Sequence, residues 1–86
     1  MKHATPAALN GLSDLLRQIR SKDGIQEKKP GIFYRKSRSF LHFHEDPAGI
    51  FADLRIGAEF ERYPVNTPPE WRALLAAIDR ALGRIQ

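Results

Sequence analysis

Apolar residues recur at helical spacing early in the chain, alternate with polar ones through the middle, and return to helical spacing at the end. Ala8, Leu9, Leu12, Leu15, Leu16 and Ile19 form the first stripe, spaced for one face of a helix. Thr5 followed by Pro6 marks its start as N-cap and first helical residue. Gly11 weakens the early turns, so the firm part is expected to begin near it, and Gly24 marks the stop. Short strands are expected over residues 25–29, 32–36, 40–45, 50–56 and 59–63, punctuated by Pro30-Gly31, Ser37-Arg38, Asp46-Pro47-Ala48-Gly49 and Gly57-Ala58. Thr67-Pro68-Pro69-Glu70 is a capping box with proline in the first turn. It opens a helix with Trp71, Leu74, Leu75, Ile78, Leu82 and Ile85 on one face and Arg72, Asp79, Arg80 and Arg84 on the other. Trp71 is expected as a core anchor beneath that helix. The expected fold is α+β: helix, five-stranded antiparallel meander, helix, as a two-layer sandwich with both helices on one sheet face.

The hairpin around Asp46–Gly49 sets which sheet face stays open. Pairing Glu45 with Ile50 places Leu41 and Phe43 beside Ile50, Ala52 and Leu54, a purely apolar face. A slip of one residue puts the histidines among those aliphatics instead, and burying two imidazoles there is unfavourable unless both are hydrogen-bonded. The first register is therefore expected. Extended through Lys36-Ser37-Arg38-Ser39, it assigns Ile32 and Tyr34 to the core. It assigns Phe33, Arg35, Phe40, His42, His44, Phe51, Asp53 and Arg55 to the open face, which is the candidate binding surface.

A length of 86 residues suits a single domain over residues 1–86, and the absence of cysteine excludes disulfides, thiolate metal sites and a cysteine nucleophile. The start of the chain lacks the apolar core of a signal peptide, and no run approaches the roughly 20 apolar residues of a membrane span. The expectation is a cytoplasmic protein with no membrane partner and no cofactor. The net charge of +4 is unevenly placed: residues 17–38 hold eight basic residues against Asp23 and Glu27, a local +6. Such a side attracts phosphate polymers or acidic proteins, or simply keeps an edge strand soluble.

His42 and His44 lie two apart on a strand, hence about 7 Å apart on one face, with Asp53 directly across from His42 in the expected register. These three are the candidate metal ligands, although zinc needs three or four and His3 is expected on a loose terminus. His42 with Asp53 also makes two-thirds of a catalytic triad, but the nucleophile is missing from that face. Ser37 and Ser39 sit only at its rim, and no catalytic residue is assigned. Phenylalanines interleaved with Arg35, Arg38, Arg55, Lys28 and Lys36 are a pattern for stacking bases while holding phosphates. The same phenylalanines suit burial by a second copy or another protein.

The order of elements, the glycine after the first helix, and Phe40-Leu41-His42-Phe43 followed by Gly49-Ile50-Phe51-Ala52-Asp53-Leu54-Arg55 resemble small bacterial YjbR-like proteins, of the frataxin/CyaY type of fold. That resemblance implies a helix–meander–helix sandwich and a DNA-binding role. Frataxin-like iron binding needs an acidic first helix, whereas here it holds only Asp14 and ends in Arg17 and Arg20. The function expected from the sequence is a non-catalytic interaction module that meets a protein partner or its own copy through the open sheet. Nucleic-acid or anion binding by that face is the alternative, and metal binding or hydrolysis through His42, His44 and Asp53 ranks below both.

Overall fold

A computed structural model describes residues 2–83; Arg84 and Ile85, assigned above to the last helix, lie outside them. Strand β1 is Lys2–His3. Helix α1 spans Pro6–Asn10 and α2 spans Ser13–Arg20. Strands β2 (Gln26–Lys29), β3 (Ile32–Arg35), β4 (Arg38–Asp46), β5 (Gly49–Ile56) and β6 (Glu59–Pro64) follow, and α3 covers Pro68–Ala81. The meander β2-β3-β4-β5-β6 is antiparallel throughout, and β1 adds to β4.

The first helical stripe is split rather than continuous. Thr5 caps α1 through its hydroxyl, which accepts from the Ala8 amide at 3.2 Å. At Gly11 the chain tightens, the Leu12 amide donating to the Leu9 carbonyl, and Leu12 leaves helical geometry at φ −111°, ψ 17°. Glycine's low helix propensity makes this the easiest place to bend. The bend lets Leu9, Leu12, Leu15, Leu16 and Ile19 all reach the core. α3 starts where expected, Thr67 and Glu70 capping each other reciprocally, and ends at Ala81 with Leu82 as C-cap, short of the expected stripe through Ile85. Trp71 is partly buried against the core and donates from Nε1 to the Val65 carbonyl at 2.8 Å.

Between β4 and β5 the register is the expected one, Glu45 opposite Ile50, Phe43 opposite Ala52 and Leu41 opposite Leu54. The Asp46 carboxylate closes the turn by accepting from the Ala48 amide. At Gly49 (φ +134°) an added Cβ would lie 2.8 Å from the Asn66 side chain. That side chain accepts from the Ile50 amide and donates to the Ile50 carbonyl, extending the ladder past the end of β6. One buried cluster joins Leu41, Phe43, Ala52 and Leu54 to residues of all three helices, so the helices share one sheet face.

The β3–β4 hairpin departs from the expected pairing. Its turn has only two residues, Lys36 (φ 52°) and Ser37 (φ 69°), between the paired Arg35 and Arg38. Phe33 pairs with Leu41 but Tyr34 with Ser39, leaving Phe40 as an extra residue in β4. Such a bulge reverses the parity of the partner strand. Phe33 and Phe40, expected on the open face, are therefore core residues, 1% and 3% exposed. Ile32 and Tyr34, expected in the core, are half-buried, with Ile32 opposite His42. Arg35 is displaced from the open face too. Its guanidinium lies 6.0 Å from the Phe40 ring and donates to the Ala81 carbonyl of α3 at 2.9 Å. A cation there meets the negative end of the helix.

Two left-handed residues without glycine or asparagine make this turn costly, since hairpins of this kind favour Asn-Gly. Ser37→Gly is expected to stabilise the protein by about 0.5–1 kcal/mol, the relief of side-chain crowding at positive φ less glycine's added unfolded-state freedom. A thermal unfolding curve checks it, and a lowered midpoint would contradict the turn geometry.

Candidate functional site

On the face turned away from the helices, alternation along β4 and β5 places His42 and His44 beside Phe51, Asp53 and Arg55, as expected from the sequence. Three further side chains join them. β6 contributes Phe60 opposite Arg55 and Arg62 opposite Asp53, and β1 contributes His3 opposite His44. β1 is held by the Ala4 amide donating to the Phe43 carbonyl at 3.1 Å and the Thr5 amide donating to a Glu45 carboxylate oxygen at 2.7 Å. The terminus expected to be loose is thereby tied down, and it delivers the third histidine.

The centre of the face is a compact polar cluster. His42 Nδ1 and His44 Nε2 are 2.5 Å apart, and the same His44 nitrogen lies 3.2 Å from Asp53 Oδ2. One ligand-type atom each from His42, His44 and Asp53 fits within a 4.8 Å span. The His3 ring stacks on His44 at 5.2 Å between centroids and meets His42 at 6.3 Å. Arg62 grips Asp53 with two parallel bonds, Nε to Oδ1 at 2.8 Å and Nη2 to Oδ2 at 3.1 Å. Phe60 lies 4.8 Å from the His42 ring and 4.6 Å from the Arg55 guanidinium, walling one side.

Electrostatics sort the protonation states. Burial, then the neighbouring His44, holds His42 below the usual imidazole value, only partly countered by Asp53. His42 is therefore neutral at pH 7, with a lone pair to offer. The Arg62 hydrogen bonds, the largest influence on Asp53, hold it below the usual carboxylate range against the opposing effect of burial. The site thus presents an ionised carboxylate, 8% exposed, beside a neutral imidazole.

Of the eight residues assigned to this surface from sequence, the fold gathers His42, His44, Phe51, Asp53 and Arg55; Phe33, Phe40 and Arg35 belong to the other side. Sequence reasoning missed Arg62, Phe60 and His3. The first two were within reach: Gly57-Ala58 makes Ile56 oppose Glu59, and counting outward puts Arg62 across from Asp53. His3 carried no such signal, because a two-residue strand is too short to show a period. Comparison of the chain with protein-family models, with curated proteins and with solved structures gives no match.

Proposed function

We propose that this protein is a non-catalytic binding module that captures a divalent transition-metal ion on its open sheet face, through His42, His44 and Asp53 with His3 completing the set. The observation that carries this reading is the convergence of two imidazole nitrogens and a carboxylate oxygen within 4.8 Å. Nitrogen and carboxylate donors suit zinc and its neighbours rather than magnesium or calcium. At 2.5 Å the two imidazole nitrogens have room only for a shared proton. A tetrahedral zinc with Zn–N bonds of ~2.05 Å needs them about 3.3 Å apart, a parting of about 0.8 Å that small side-chain rotations supply. His3 is exposed and its ring already lies against those of His42 and His44, close enough to turn toward the same point.

Zinc added to the metal-free, isotopically labelled protein is expected to shift the imidazole signals of His42 and His44 at one equivalent. The double variant His42→Gln/His44→Gln is expected to lose at least about a hundredfold in affinity, as removal of two of four ligands should. An unchanged affinity in that variant would overturn the reading.

A second reading, contact with another copy of the chain, is favoured by one observation: Phe60 is an exposed large hydrophobic side chain on the same open face as the histidines. Sedimentation over a range of concentrations tests it. The base-stacking reading keeps Phe51 and gains Phe60 but loses Phe33 and Phe40 to the core.

A further inference from the structure

Away from the histidine cluster, at the end of the sheet where the β3–β4 turn meets the last turn of α3, lies a half-open cavity of about 310 Å³. Among the described residues four cations line it, Arg35, Lys36, Arg38 and Arg55, and no carboxylate does. Phe40, Ile56 and Ala81 supply apolar walls. Two of the guanidiniums are fixed in place. Arg35 is tied by Nη1 to the Ala81 carbonyl and lies over Phe40, and Arg55 is tied by Nε to the Ser39 carbonyl at 2.6 Å and lies over Phe60. These bonds engage one N–H of each fork, and among the described residues no carboxylate pairs with either side chain. The remaining N–H groups are already oriented, so less side-chain freedom is lost on binding. Lys36 reaches the cavity from the left-handed turn at φ 52°, and unfavourable backbone of this kind persists where the surroundings hold it.

We infer that this cavity is a phosphate-binding site, taking a phosphate group on a small organic molecule whose apolar part rests on Phe40 and Ile56. Planar guanidiniums present paired donors matched to phosphate oxygens, and a concave site of this volume lies at the lower end of those that enclose small ligands. The site shares only Arg55 with the surroundings of the metal cluster and does not depend on metal binding.

The test uses chelator-treated protein, so that no metal can recruit the anion. Amide spectra are recorded with phenyl phosphate, a dianionic monoester, and with a short single-stranded oligonucleotide, whose internal phosphates are monoanionic diesters. The expected result is saturable shifts at residues 35–40 and 55–57. Affinity for phenyl phosphate should fall at least about tenfold in Lys36→Gln/Arg38→Gln but not in the charge-matched Arg17→Gln/Lys29→Gln. Tighter binding of the monoester assigns the site to terminal phosphates of small molecules. Tighter binding of the oligonucleotide, strengthening with its length, assigns the same cations to a nucleic-acid backbone and overturns the small-molecule form of the inference. Equal losses in both double variants, or no saturable shift with either probe, would overturn the site altogether.

Discussion

Phe40→Ser is expected to cost about 4 kcal/mol, while Phe51→Ser, eleven residues along the same hairpin, costs about 1 kcal/mol or less. Alternation along β4 and β5 puts both rings on one face, yet the bulge sends Phe40 into the cluster with Phe33 and Leu41, at 3% exposure. Phe51 stays half-buried between His44 and Pro64 in the ladder. Removing a buried phenyl ring costs about 3–5 kcal/mol, and the serine hydroxyl left in its place adds a polar group to an apolar site. A small domain has on the order of 5–10 kcal/mol in total, so the Phe40 variant should be close to unfolded at room temperature. Urea unfolding of the two variants beside the parent reads the difference as a shift of midpoint at constant slope. Equal midpoints for the two would mean that Phe40 faces solvent and that β4 carries no bulge.

That pair of residues also marks how far the fold was legible in the sequence. The β4–β5 hairpin could be read because its turn residues and its alternation agree: Asp46-Pro47-Ala48-Gly49 fixes the loop, and only one parity gives a face without polar groups. α3 could be read because its cap, Thr67 with Glu70, is local chemistry. The β3–β4 hairpin offered neither signal. Ile32, Phe33 and Tyr34 are consecutive and all apolar or aromatic, as are Phe40 and Leu41, so either parity looks acceptable. The deciding turn, Lys36-Ser37, contains no residue that favours a left-handed backbone. Its geometry is imposed by the strands on either side, and the extra residue in β4 then follows from packing both Phe33 and Phe40 beneath the helices. The same limit applies to the histidine cluster. His42, His44 and Asp53 come from strands whose parity was readable. His3 arrives through backbone pairing with β4 and a hydrogen bond to Glu45, a contact forty residues away in sequence.

Zinc at a hundredfold excess over its dissociation constant is expected to stabilise the protein by about 2.7 kcal/mol, because a ligand that binds only the folded state shifts unfolding by mass action. For a chain of this length that corresponds to a rise of roughly 10–20 °C in Tm. The response of Arg62→Gln separates a metal site from a self-contained polar network. In the metal-free protein Arg62 neutralises Asp53 through two hydrogen bonds, so the variant should melt earlier, though only slightly, because the guanidinium is exposed to screening solvent. With zinc present the sign reverses. Arg62 then competes with the ion for the same carboxylate and repels it, and removing that charge should tighten zinc binding by roughly tenfold. The variant is thus less stable than the parent without zinc and gains more from it. His44→Gln should lose the zinc response altogether, since His44 Nε2 lies between His42 Nδ1 and Asp53 Oδ2. If Arg62→Gln instead weakens the response to zinc, or His44→Gln leaves it intact, the ion is binding elsewhere and the cluster serves only to hold β4, β5 and β6 in register.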